Sequence, residues 1–221
     1  MSEIQQNFYT VRHGERIDEV QEFEGCDPHL TEYGLYEASQ TGIFLKDKNI
    51  TEIVCSPFYR CFQTACEIAK HLPKKIPFKI EYGIAEWQSK KFYTQDPFPD
   101  LRVFNDKNSI FNRMIDQDYK SQIVPTYPET LDQMLKRYSL AYKAIKNSFS
   151  EGNIVIVTHG YGIATFVDTY DPEKELFEAH HCGITKGLKS NNQYSVEYMD
   201  KFDHYLEEEE WEKEQTKTKE N

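Results

Sequence analysis

The chain has 221 residues, enough for one domain with a substantial core. Twenty-six Lys and Arg face 37 Asp and Glu, a net charge of −11, which excludes charge-driven nucleic-acid binding and requires any anion site to be a local positive pocket. Five cysteines, no N-terminal apolar stretch and no apolar run of membrane-spanning length point to a reducing compartment, the cytosol, and to no membrane partner.

Phe8–Val11 is a short apolar strand that stops at Arg12-His13-Gly14. An acidic, polar loop runs from Arg16 to Pro28. Thr31 then caps a helix whose apolar stripe is Leu35, Ala38, Gly42 and Leu45. Residues 51–56 read as a second strand. Ser56 is the expected cap of the next helix, with Pro57 at its first position, and Pro73 and Pro77 close it after about Leu72. Lys79–Tyr82 is a candidate strand leading to Gly83-Ile84-Ala85-Glu86-Trp87. The pattern then breaks from 88 to about 128, where Pro97, Pro99, Pro125 and Pro128 fall, and a connection of that length is expected to be a functional loop or lid. A long helix follows, with Leu131, Leu135, Tyr138, Tyr142 and Ile145 as its stripe and Gly152 past its end. Asn153–Thr158 is continuously apolar and β-branched, as in a buried parallel strand, and runs into His159-Gly160-Tyr161-Gly162 and a helix to about Tyr170. Cys182–Lys186 and Tyr194–Met199 look like strands. Residues 1–205 form one expected domain, and the charged stretch 206–221 reads as a disordered tail or a solvated helix.

The expected fold is α/β, a mostly parallel central sheet with helices on both faces and a lid insertion at about 88–128. In such a sheet the carboxyl ends of the strands open on one edge, so separate stretches of sequence converge there. The convergent set is Arg12 and His13 after the first strand, Arg60 on the helix after the second, His159 after the strongest, and Glu86 from the turn after Ile84. Arg offers a planar fork of donors suited to phosphate or carboxylate. His13 offers a nucleophile or proton carrier near neutral pH. Gly14 permits a tight turn or close approach to a ligand.

Val11-Arg12-His13-Gly14-Glu15, Ser56-Pro57-Phe58-Tyr59-Arg60-Cys61-Phe62-Gln63-Thr64-Ala65, Glu86 and Val157-Thr158-His159-Gly160 together resemble the histidine phosphatase superfamily, in its phosphoglycerate mutase-like branch, over roughly residues 8 to 200. Arg12 to Asp18 and Glu86-Trp87 are most similar to the phosphatase domain of the suppressor of T-cell receptor signalling proteins. Those carry ubiquitin-associated and SH3 domains ahead of it. This chain has no room for either and is expected to be a stand-alone catalytic domain.

The resemblance implies a phosphomonoester hydrolase working through a phosphohistidine on His13, with no metal and no cofactor. Arg12 and Arg60 would hold the phosphoryl oxygens, Arg16 would add a contact, and His159 with Gly160 would complete the phosphate site. Glu86 would protonate the leaving oxygen and then activate water, which requires a carboxyl still protonated near neutral pH. Glu15 and Glu129 are the alternative acids, and an ion pair with Asp18 or Glu19 is the alternative use of Arg16. The implied substrates are phosphoproteins of the phosphotyrosine type or bulky phosphorylated small molecules, with Phe92, Tyr93, Phe98 and Phe104 as candidate lining. Relatives are often dimers, although nothing in the sequence marks an interface.

Competing chemistries leave other marks. A cysteine phosphatase needs an Arg six positions after its Cys, but Cys55 precedes Arg60 by five and Cys182 is followed at that spacing by Leu188. The adjacent His180 and His181 do not make a metal site. A mutase of this branch would follow Glu86 with Arg and Tyr-Gly, where Trp87-Gln88 stands, and would place an Asn near Ile17-Asp18-Glu19. The remaining alternatives are a mutase-type phosphotransferase and a non-catalytic module that binds phosphorylated ligands.

Overall fold

A computed structural model describes residues 5–105, 113–191 and 193–219. Its elements in chain order are β1 (Gln6–Arg12), a single turn α1 (Ile17–Val20), α2 (Glu32–Leu45), β2 (Ile50–Cys55), α3 (Tyr59–His71), β3 (Phe78–Ile80), α4 (Arg102–Asn105), α5 (Leu131–Ser148), β4 (Asn153–Thr158), α6 (Gly160–Tyr170), β5 (Ile184–Ser190), β6 (Gln193–Lys201) and α7 (Glu208–Lys219). The six strands form one sheet in the order β3-β2-β4-β1-β5-β6. Its first four strands are parallel, and β5 and β6 extend it as an antiparallel pair.

Strand residues alternate between the two faces. Tyr9, Val11, Ile53 and Val155 meet Leu45 of α2 and Phe62 and Ile68 of α3 on one side. Phe8, Val54, Ile154 and Ile156 meet Met134 and Tyr138 of α5 and Phe166 of α6 on the other. Burial of these side chains on both faces removes a large apolar area from water, the main stabilising contribution to such a sheet.

Three parallel strands position the site. β4 lies between β2 and β1, with Arg12 opposite Thr158 and Cys55 opposite Val157. The next residues therefore leave the sheet side by side. The amide of His13 donates to Thr158 O at 3.0 Å and that of Ser56 to Val157 O at 3.0 Å.

Several local expectations need correction. Ser56 does not cap α3. The helix begins two residues after Pro57, and its Tyr59 amide is capped from a distance by Asp27 Oδ1 at 2.8 Å, which frees the Ser56 hydroxyl. Leu131 and Leu135 face outwards. The buried face of α5 is Met134, Arg137, Tyr138, Ala141, Tyr142 and Ile145, because a buried ion pair takes the place expected of an apolar residue. The last two strands begin later or run longer than their apolar cores suggested. α7 is held by Trp211, whose ring lies 5.5 Å from that of Tyr33 and 5.9 Å from that of Tyr36, and by the Tyr33 hydroxyl donating to Leu206 O at 2.9 Å.

Candidate active site

His13 is buried at the end of β1. Its Nδ1 lies 2.9 Å from the carbonyl of Gly14. A carbonyl only accepts, so Nδ1 carries the hydrogen and the lone pair sits on Nε2. Burial, then the charge of Arg60, the His159 ring and Arg12, push protonation of His13 well below the ordinary histidine range. Gly14 serves packing and not ligand approach: a Cβ there would sit 2.5 Å from Gly34 O of α2.

Arg60, on the first turn of α3, is buried with its guanidinium 4.6 Å from the Phe58 ring centre. Its Nη2 donates to Glu86 Oε2 at 3.1 Å, while Nε and Nη1 have no hydrogen-bond partner among the described residues. A buried guanidinium with N–H groups to spare is suited to acceptor oxygens from a ligand. Arg12 donates from Nη1 to Ala179 O at 2.6 Å and lies 3.7 Å from Glu19. Arg16 lines the same cleft but is ion-paired with Asp18 and with Glu19, each at 3.3 Å, which is the alternative weighed for it.

His159 stands at the residue before α6 without a side-chain capping bond, its ring edge-on to His13 with centroids 5.3 Å apart, and Gly160 opens onto the cleft from the first turn. Burial and Arg60 push His159 down to about 4, although Glu86, 3.3 Å from Nδ1, opposes this. Glu86 accepts from the Trp87 amide at 3.0 Å. Burial would raise its carboxyl, but His159, Arg60 and the Trp87 amide outweigh burial and hold it well below the usual carboxylate range. The expectation of a carboxyl protonated near neutral pH is therefore corrected for the resting site. The alternative acids are occupied elsewhere. Glu15 accepts from Thr31 Oγ1 at 2.6 Å, and Glu129 has both oxygens on Arg137 at 2.7 and 2.9 Å.

These groups converge on a cleft of about 710 Å³ whose walls include Phe92, Tyr93, Tyr161 and Phe177. Phe98 packs instead against Phe58 and Tyr82 within the segment's own cluster, and the Phe104 side chain lies outside the described residues. The profile of the Histidine phosphatase superfamily (branch 1) matches residues 8–197. The chain belongs to the histidine phosphatase superfamily. It is 32% identical over 153 residues to the ubiquitin-associated and SH3 domain-containing protein A of Homo sapiens, covering 64% of this chain and 22% of that one. It thus spans less than a quarter of that relative's length. The ecdysone phosphate phosphatase of Bombix mori, solved with tungstate, superposes with a TM-score of 0.71 at 17% identity, over 87% of this chain and 92% of that one. Phosphoglycerate mutase of Bacillus anthracis superposes with a TM-score of 0.65 at 19% identity, over 91% and 96%, so the fold is phosphoglycerate mutase-like.

In this histidine phosphatase chain, three supporting groups escaped the sequence reading. Ser56 Oγ lies 2.8 Å from His159 Nε2. Its position one residue past a strand end was the available signal, and it was spent on a helix cap. His181, set aside with His180 as metal ligands, places its ring 5.7 Å from that of His13 and its Nε2 3.2 Å from Glu19. Arg137 donates to the carbonyls of Gly83, Ala85 and Glu86 and so fixes the turn that carries the carboxylate. Nothing in the α5 sequence distinguishes it from a surface Arg.

One ligand atom each from His13, Glu86 and His159 lie within 4.8 Å of one another, close enough to hold a metal ion. A divalent cation there would displace Arg60 from Glu86 and sit between two guanidinium groups, so the charge pattern suits an anion better.

Proposed function

We propose that the chain hydrolyses phosphomonoesters through a phosphohistidine on His13. The observation that carries this reading is the tautomer. With Nδ1–H given to Gly14 O, Nε2 presents its lone pair in a pocket lined by Arg12, Arg60 and Gly160, with His159 buried behind Arg60 and Glu86. Nε2 attacks phosphorus, an N–P bond forms and the ester P–O bond breaks. The spare N–H groups of Arg60, with Arg12 and the N-terminus of α6, stabilise charge on the transferring oxygens, and His159 orients Arg60 and Glu86 from behind. Glu86 delivers a proton to the leaving oxygen. It then takes one from the water that attacks the phosphohistidine, releasing inorganic phosphate and neutral His13.

Glu86 is ionised at rest, so the proton must arrive with the substrate. A phosphate monoester has a second pKa of ~6, and its monoanion brings one proton into the site. As the phosphoryl oxygens take over Arg60, Glu86 loses one of the contacts that kept it charged and becomes a receiver for that proton.

The aromatic walls support aryl esters or phosphotyrosine side chains as substrates over small sugar acids, and the mechanism needs no metal. The test is hydrolysis of para-nitrophenyl phosphate with chelator present, by wild type and His13→Ala, alongside 3-phosphoglycerate. The expected result is chelator-resistant release of nitrophenol, its loss in His13→Ala by at least a thousandfold, on the order of what losing a nucleophile costs, and poor use of 3-phosphoglycerate. Activity that survives in His13→Ala refutes the nucleophile.

A further inference from the structure

Among the described residues the cationic groups lining the cleft are three, Arg12, Arg16 and Arg60, and each already faces a carboxylate. Arg60 is on Glu86 at 3.1 Å, Arg16 on Asp18 and Glu19 at 3.3 Å, and Arg12 lies 3.7 Å from Glu19. A fourth carboxylate, Glu178, stands on the rim with its side chain 78% exposed and 4.0 Å from His180 Nε2. The pocket is therefore close to balanced before any ligand enters. The phosphoryl group uses the spare N–H groups of Arg60 and Arg12. The remaining wall is apolar, with Phe92, Tyr93, Tyr161, Leu176 and Phe177, and its charged members are the Arg16–Asp18 pair and the carboxylate of Glu178. Phe177 is 89% exposed, the largest exposure of any big apolar side chain among the described residues. Its loop is fixed on its far side by Arg12 on Ala179 O and by His180 Nδ1 on Asp200 at 2.6 Å.

We infer that the cleft selects phosphomonoesters whose leaving group is apolar and either uncharged or cationic, that it rejects a second anionic group on the same molecule, and that Glu178 is a determinant of this choice. The inference rests on the phosphomonoesterase reading of the site. Its physical content is simple. A carboxylate on the leaving group finds each lining guanidinium already facing a carboxylate and meets the Glu178 carboxylate on the rim, whereas an ammonium there meets attraction. A leaving group with an aromatic body and a cationic end matches both wall and rim.

The test compares two substrates that share a ring and a two-carbon spacer: O-phosphotyramine, ending in an ammonium, and the phosphate ester of 3-(4-hydroxyphenyl)propionate, ending in a carboxylate. The ratio of kcat/KM values is read within each protein, so changes in folding or in the chemical step cancel. Wild type is expected to favour the ammonium by about tenfold at low ionic strength, with the ratio shrinking at ~1 M salt as rim charges are screened. Glu178→Lys is expected to reduce the ratio severalfold. A wild-type ratio near one, or in favour of the carboxylate, overturns the inference. A ratio unchanged in Glu178→Lys overturns the assignment of Glu178. If wild type hydrolyses neither these nor para-nitrophenyl phosphate, it is the phosphatase reading that fails.

Discussion

In the resting site His13 is neutral and Glu86 is ionised, and the two protonation states set the pH dependence of turnover. Burial and the neighbouring Arg60, His159 and Arg12 favour the neutral ring of His13, so its protonation opposes turnover only on the acid side of the ordinary histidine range. The proton needed by the leaving oxygen is carried by the substrate monoanion, whose population falls above pH ~6. For phenyl phosphate, a poor leaving group, kcat/KM should be level near pH 5–6 and fall about tenfold per unit at higher pH. A rate that climbs towards pH 8 contradicts this assignment. At this scale the motif residues Arg12, His13, Arg60, Glu86 and His159 were legible because their chemistry and order along the chain are distinctive. The charge state of Glu86 was not, because it depends on His159 Nδ1 and Arg60 Nη2 lying 3.3 and 3.1 Å away, contacts between residues 73 and 26 positions apart. Nor was the use of Arg16 by two carboxylates, or of Ser56 by His159, since each is a choice between partners that only the folded chain brings within reach.

Elements act on the site through the turn between β3 and the 88–128 segment. Arg137 of α5 holds three carbonyls of that turn, and its charge is balanced by Glu129 in a pair with both side chains at or below 4% exposure. A buried pair broken on one side leaves an uncompensated charge, here together with three unpaired carbonyls. Arg137→Met should therefore lower stability by about 3–5 kcal/mol in urea titrations. It should also lower kcat for phenyl phosphate, as the Glu86 backbone loses its anchor. A loss under ~1 kcal/mol with kcat unchanged would show that the turn stands without Arg137. The α5 pattern illustrates why sequence reading misplaced this face. The apolar stripe runs through Leu131 and Leu135, both exposed, while the buried positions at the same end are Met134 and Arg137. Periodicity found the helix and assigned its N-terminal face incorrectly, because an ion pair replaced an apolar contact.

Across the whole molecule the order of the parallel strands does most of the work. Placing β4 between β1 and β2 makes His13, Ser56 and His159 neighbours although they are more than 100 residues apart at the extremes. The apolar run of Asn153–Thr158 and the strand–helix alternation made a mostly parallel sheet with converging strand ends readable in advance, but not the order of its strands. The antiparallel β5–β6 pair was readable as strands but not as a direction, since direction is set by the short Asn191 turn and by pairing with β1. The net charge of −11 surrounds a pocket whose three guanidinium groups are already matched, so selectivity at the rim belongs to the charge distribution as a whole.

The central claim is that the phosphoryl group passes through His13. Rapid mixing of excess wild-type protein with phenyl phosphate, alkaline quenching within milliseconds and peptide mass mapping tests it directly, because phosphohistidine survives alkali. The predicted result is one phosphoryl group on the peptide that contains His13, rising and decaying as phenol and then phosphate appear. Phenol release with no phosphoryl group on the protein at any time, or a phosphoryl group on His159 or His181 instead, would contradict the account.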